Sequence, residues 1–130
     1  MATQTSKALA DQINKAFQDQ DWDFFKETLS DDFTWKLIGY KTVGRKEFFD
    51  MMKDMPPEST FTPTNIVMND DYIVVESDGP IAKLKDREQQ HYFCDIYKIK
   101  DGKIIHMTSY MDTALMQEED KCRREAQQPA

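Results

Sequence analysis

Between Thr5 and Gln18 apolar residues recur at helical spacing: Leu9, Ile13, Ala16 and Phe17 stand at i, i+4, i+7 and i+8, while Lys7, Asp11, Gln12 and Lys15 fall elsewhere. The pattern predicts an amphipathic helix with Thr5 or Ser6 as its N-cap. A second short helix is predicted from Asp21 to Leu29, with Trp22, Phe25 and Leu29 on its apolar face and Ser30-Asp31-Asp32 as its stop. From Phe33 to Ile38 the period changes to two, with Phe33, Trp35 and Leu37 on one side, which predicts a strand. Gly39 and Gly44 bracket a loop. Arg45 to Met55 carries Phe48, Phe49 and Met52 at helical spacing and is stopped by Pro56-Pro57.

The rest reads as sheet. Strands are predicted over Phe61 to Met68 and Tyr72 to Ser77, joined by the turn residues Asn69-Asp70-Asp71. Asp78-Gly79-Pro80 interrupts, and Lys83 to Gln90 reads as a polar loop or ragged hairpin end. A long strand from Gln90 to Ile99 and a last one from Ile104 to about Asp112 flank Lys100-Asp101-Gly102-Lys103, and Asp-Gly between apolar runs is a strong hairpin signal. From Glu118 the chain is mainly Glu, Asp, Lys, Arg and Gln without an apolar stripe, so residues 118–130 are expected to be a tail of frayed helix or disorder behind a single domain over 1–117. Helices followed by an antiparallel meander indicate an α+β domain, its curved sheet closing against the helices to leave a conical interior for a ligand.

Charge and composition narrow the partners. Seventeen Lys and Arg against 24 Asp and Glu leave a net charge of −7, contrary to the basic face that nucleic acid requires. No apolar run approaches the ~20 residues of a membrane span, and Met1 to Ala10 lacks the basic start and apolar core of a signal peptide. Cys94 and Cys122 sit in unrelated contexts, which fits a reducing cytoplasm better than a disulfide framework. Two isolated His and two isolated Cys make no metal motif, and there is no Gly-rich phosphate loop or nucleophile elbow. No metal or cofactor is expected.

The run Cys94-Asp95-Ile96-Tyr97-Lys98-Ile99-Lys100-Asp101-Gly102-Lys103-Ile104, closing with Tyr110-Met111-Asp112, resembles the end of a SnoaL-like or ketosteroid isomerase-like domain. These domains belong to the nuclear transport factor 2 superfamily. Asp31-Asp32-Phe33-Thr34-Trp35, Gly39, Gly44 and Val74-Val75-Glu76 fall where that superfamily has similar residues. The resemblance spans roughly residues 8 to 113. It implies a cystatin-like cone: a curved antiparallel sheet packed against three helices from the first half of the chain. It also implies dimerisation through the outer sheet face, here Tyr92, Cys94, Ile96, His106 and Thr108.

Strand parity tests which residues face the cone. If Asp95 points inward, so do His91, Phe93 and Tyr97. A three-residue loop at Lys100 to Gly102 pairs Asp95 with Met107 and Phe93 with Ser109, and turns Ile105, Met107, Ser109 and Met111 inward. A two-residue loop turns His106 and Thr108 inward instead. The first register puts the more apolar set in the core. The expected cavity wall is then Phe17, Trp35, Leu37, Phe49, Phe93, Met107, Ser109 and Met111. The abundant Met residues and Trp22 are explained by core packing, and Glu76 and Asp78 by outward solvation.

Asp95, in mid-strand between Phe93 and Tyr97, is a carboxyl whose pKa burial raises. In ketosteroid isomerase the resembling position holds a neutral aspartic acid that donates to an oxyanion. That enzyme's other machinery does not carry over, because its base position falls on Leu37 and its tyrosine on Ile13. The Asp-Arg-Asp set of limonene epoxide hydrolase falls on Ser77, Gly79 and Ser109, and the His and Asp of polyketide cyclases appear as Asp95 and Ser109. Three readings follow. One is cofactor-free acid–base chemistry on a small, mostly apolar carbonyl or cyclic compound, with Asp95 as acid or base and His91 or Tyr97 assisting. Another is binding of a hydrophobic small molecule without chemistry. The last is a homodimeric interaction module.

Overall fold

The computed structural model describes residues 4–54 and 61–127. Helices α1 (Gln4–Asp19), α2 (Trp22–Thr28) and α3 (Arg45–Lys53) precede most of the sheet, and α4 (Thr113–Gln127) follows it. The strands are β1 (Leu29–Leu37), β2 (Thr42–Gly44), β3 (Thr62–Met68), β4 (Tyr72–Lys83), β5 (Glu88–Lys100) and β6 (Lys103–Met111). They form one curved sheet in the order β2-β1-β6-β5-β4-β3. All neighbours are antiparallel except β1 and β6, so the α+β layout is as expected while the sheet is mixed.

Local chemistry explains the helices. Leu9, Ile13, Ala16 and Phe17 are all buried on one stripe of α1. The Asp21 side chain accepts the Phe24 N–H at 3.2 Å and caps α2. At α3, Glu47 Oε2 reaches back to the Gly44 N–H at 2.9 Å. Phe48 of α3 is the hub of the core, meeting Phe33 at 5.4 Å and Trp35 at 5.3 Å between ring centroids, both edge to face. Helix α3 ends at Lys53 with Asp54 as its C-cap, so it does not run on to Met55 as expected; the expected stop at Pro56-Pro57 lies outside the described residues, as does the Thr5 side chain. Ser30-Asp31-Asp32 does not end a helix in a loop; it is already strand, inside β1.

Three further departures shape the cavity. The β5–β6 turn is a two-residue one: Asp101 and Gly102 have φ of 52° and 75°, and Lys100 pairs with Lys103. That loop alone would have turned His106 and Thr108 inward. A bulge at Ile105 reverses this, because Ile99 pairs with Ile104 but Lys98 pairs with His106. Ile104 is therefore buried in place of Ile105, while Met107, Ser109 and Met111 keep the inward parity expected of them. Their partners are shifted by two residues, so Asp95 lies opposite Ser109, Tyr97 opposite Met107, and Phe93 opposite Met111.

Strand β4 also continues through Asp78-Gly79-Pro80 and pairs as far as Lys83 with Glu88, the irregularity being absorbed between Asp78 and Ile81. Gly79 is needed there: a Cβ on it would stand 2.3 Å from the Phe93 ring and 3.1 Å from His91 Cβ. Finally, the expected frayed or disordered tail is helix α4 as far as Gln127. Asp112 Oδ1 accepts the Leu115 N–H at 3.0 Å in the manner of an N-cap. Leu115 is buried, and Arg87 clasps both carboxylate oxygens of Glu118 at 3.0 and 2.9 Å. No helix among the described residues is long and apolar enough to cross a membrane.

Candidate functional site

The concave face of the sheet and the helices enclose a cavity of about 280 Å³, near the lower end for small-molecule sites. Its walls are mostly apolar. Phe17 comes from α1, Trp35 from β1, Met52 from α3, Phe93 from β5, Met107 and Met111 from β6, and Met116 from α4, with Phe61 and Pro80 completing them. Four polar residues interrupt this lining: Asp95, Ser109, His91 and Glu119. Four flexible thioethers in the lining suit a site that adapts to its contents.

Asp95 and Ser109 form a cross-strand pair at the cavity wall. The Ser109 hydroxyl donates to Asp95 Oδ1 at 2.6 Å and accepts from Trp35 Nε1 at 2.8 Å. Both residues are buried. The chain of donors runs one way and ends on the carboxylate, so it favours the ionised form. Desolvation acts against it and prevails: burial raises the Asp95 carboxyl from 3.8 to about 6, and the Ser109 hydrogen bond only moderates the rise. Oδ2 has no hydrogen-bond partner among the described residues. The arrangement therefore presents one free carboxylate oxygen, in a mostly apolar pocket, that changes protonation close to neutral pH.

The other residues singled out from sequence divide cleanly. His91 is buried, lines the cavity, and places Nε2 3.2 Å from Glu119 Oε1. Phe17, Trp35, Phe93, Met107, Ser109 and Met111 line it as well. Tyr97, Leu37 and Phe49 are not among the lining residues. Tyr97 shares the Asp95 face but packs in the core, where burial, then the Asp95 charge, pushes its phenol well above its ordinary value. Leu37 is core. Phe49 points to a shallow outer groove of α3, with the Arg45 guanidinium 5.1 Å over its ring. His106 lies on the outer face, between the hydroxyls of Thr34 at 2.7 Å and Thr108 at 3.2 Å. Glu76 and Asp78 are exposed, as expected.

Glu119, Met116, Met52, Phe61 and Pro80 line the cavity without having been singled out as wall residues. A signal for α4 was present: Leu115 and Met116, Glu119, Cys122 and Ala126 recur at i, i+4, i+7 and i+11, a narrow stripe that begins before Glu118. Among the described residues, no group of three or more His, Cys, Asp or Glu stands close enough to hold a metal ion.

The SnoaL-like domain model matches residues 10–107, well over half of the sequence. The chain belongs to the SnoaL-like domain family. Solved structures agree on the SnoaL-like fold. An NTF2-like protein of unknown function from Cytophaga hutchinsonii is 25% identical, with a TM-score of 0.68 over 81% of this chain and 97% of that one. IdmH, a putative polyketide cyclase from Streptomyces antibioticus, is 16% identical, with a TM-score of 0.70 over 92% and 99%. An LEH-like epoxide hydrolase from M. tuberculosis is also 16% identical, with a TM-score of 0.66 over 90% of each chain. No curated protein's sequence matches this one. The matched SnoaL-like segment contains His91 and Asp95, whereas Ser109, Met111, Met116 and Glu119 follow it.

The Asp95 shift has a consequence for stability. The folded chain holds this proton more tightly than the unfolded chain does, so the contribution is full below about pH 4 and is lost as pH rises through about 6. From 3.8 to about 6 the loss is on the order of 3 kcal/mol at most. Asp95→Asn, which still accepts from Ser109 but bears no charge, is expected to raise stability at neutral pH by ~1–3 kcal/mol. It should also flatten the decline between about pH 4 and 6 in urea titrations. Unchanged stability with the same pH slope would show that the carboxyl is not desolvated.

Proposed function

We propose that the protein binds a small, mainly apolar carbonyl or cyclic compound in its cavity and moves a proton on it without a cofactor, with Asp95 as the base. The observation that carries this reading is a buried carboxyl, raised to about 6, with one oxygen held by Ser109 and the other free. A base with a pKa just below the working pH is mostly ionised yet still basic enough to take a proton from a carbon beside a carbonyl. Apolar walls strengthen its interaction with the reacting atoms by keeping water out. Polyketide cyclase and epoxide hydrolase names among the fold's relatives fit ligand binding or isomerase- or cyclase-type chemistry in such a cone.

A second reading, ligand binding without chemistry, is favoured by what stands at the family's other catalytic positions. Ile13 and Leu37 are buried core residues. At Gly79 the space an arginine would enter is filled by Phe93. Two free thiols support a reducing compartment such as the cytoplasm. For the outer sheet face we propose a homodimer contact: Tyr92 and Tyr110 are 60% and 46% exposed, and the half-buried Cys94, Ile96, His106 and Thr108 lie beside them.

Two measurements test these assignments. Hydrogen–deuterium exchange at the α-carbon of 1-indanone, followed by NMR, is expected to be faster with the protein than in buffer and to rise with pH through about 6. Asp95→Asn should slow it by ~100-fold or more. Equal exchange with wild type and variant would leave only the binding reading. Light scattering at micromolar concentration is expected to give a dimer that Tyr92→Lys dissociates, and a monomeric wild type would remove the dimer.

A further inference from the structure

A line of three side chains, one from each of three adjacent strands, ends at the Asp95 carboxyl. Strands β1, β6 and β5 are neighbours in the sheet, and Trp35, Ser109 and Asp95 stand one on each. Asp95 is directly opposite Ser109, whereas Trp35 pairs with Met107, two residues short of Ser109 along the parallel ladder. Residues two apart on a strand share a face, and an indole is long enough to span that diagonal. Trp35 Nε1 accordingly lies 2.8 Å from Ser109 Oγ, and Ser109 Oγ lies 2.6 Å from Asp95 Oδ1. Chemistry fixes the direction of the first bond, because an indole nitrogen only donates. Ser109 accepts there, and its one hydrogen is left for the carboxylate. The ring itself is held: Trp35 is 5% exposed and meets the wholly buried Phe48 edge to face, with centroids 5.3 Å apart. A buried indole needs some acceptor for its N–H, and here the acceptor is the residue that holds Asp95.

We propose that Trp35 is a positioning residue for Asp95: its N–H holds the Ser109 hydroxyl with the hydrogen turned to Asp95 Oδ1, which fixes the carboxylate and leaves Oδ2 for the ligand. Donation to Ser109 polarises the hydroxyl and makes it a stronger donor in turn. Trp35 acts on the base through Ser109. The same ring is part of the cavity wall, so the residue that shapes the apolar site also sets how firmly its base is held. The inference rests on the preceding reading in taking Asp95 as the base.

The test separates the N–H from the bulk of the ring. Trp35→Phe keeps an aromatic side chain and removes the donor. Replacement of Trp35 by β-(3-benzothienyl)alanine in a Trp22→Phe background also keeps the bicyclic shape, and it carries the test if the first variant fails to fold. In either protein the NMR titration midpoint of the Asp95 carboxyl carbon is expected to rise by ~0.5 above the wild-type value of about 6, a part of the worth of one hydrogen bond. In a Ser109→Ala background the same replacement should move the midpoint no further, because nothing remains for the N–H to orient. At neutral pH the exchange of the 1-indanone α-hydrogen should fall ~3–10-fold in kcat with KM nearly unchanged, since a carboxylate less firmly held is aimed at the ligand for less of the time. A midpoint that stays or falls would overturn the positioning role, a fall being the mark of water admitted beside the carboxyl. So would a midpoint moved equally with and without the Ser109 hydroxyl, because a ring that only packs does not act through Ser109. Either result leaves Asp95 standing as the base. Exchange no faster with wild type than in buffer would instead remove the base reading, and the midpoints would still decide whether Trp35 holds Ser109 to Asp95.

Discussion

A carboxylate enclosed by sheet and helices is tolerated only where something polar meets it, and here that is the cross-strand contact between Ser109 and Asp95. The hydroxyl supplies one strong hydrogen bond at 2.6 Å and is itself held by the Trp35 indole. This is enough to keep the group in place and too little to offset its desolvation. The imbalance sets the rest of the site's electrostatics. Asp95 is left titrating close to neutrality, and burial together with the Asp95 charge keeps the Tyr97 phenol and the Cys94 thiol protonated.

The contact exists because of backbone register. An Asp-Gly turn of two residues would send the inward side of β6 outward, and the bulge at Ile105 turns it back. The identity of the residues facing the cone was legible in the alternation of β5 and in the apolar character of Met107 and Met111. Their partners were not. A three-residue loop and a two-residue loop followed by a bulge produce the same facing but pairings two residues apart, and a bulge between Ile104, Ile105 and His106 has no local signature in three β-prone residues. Ser109 was therefore placed in the wall but opposite Phe93, and its bond to Asp95 could not be foreseen.

Other differences have the same origin in long-range contacts. Asp78-Gly79-Pro80 has the local chemistry of a break, yet pairing with β5 carries the strand across it once Gly79 gives Phe93 its space. Helix α4 carries only a narrow apolar stripe, and its placement relies on Arg87 and His91, residues thirty or so positions earlier. With α4 unseen, the polar residue opposite His91 was unseen too, and the imidazole seemed isolated at a strand end. Tyr97 and Leu37 share the inward face of their strands with wall residues, but the face is longer than the cavity, and parity alone does not say where the space ends. The apolar walls were legible because they follow period two and period 3.6. The polar end was not, because it joins elements distant in sequence.

The SnoaL-like fold thus provides a cone whose polar groups come from both sides of the end of the matched segment, His91 and Asp95 within it and Ser109 and Glu119 after it. The most direct test of the account is the titration of the Asp95 carboxyl carbon by NMR in the wild-type protein. The account requires a midpoint near 6, moving higher in Ser109→Ala as the moderating hydrogen bond is lost. A midpoint near 3.8, unmoved by that substitution, would mean a hydrated carboxylate and would contradict it.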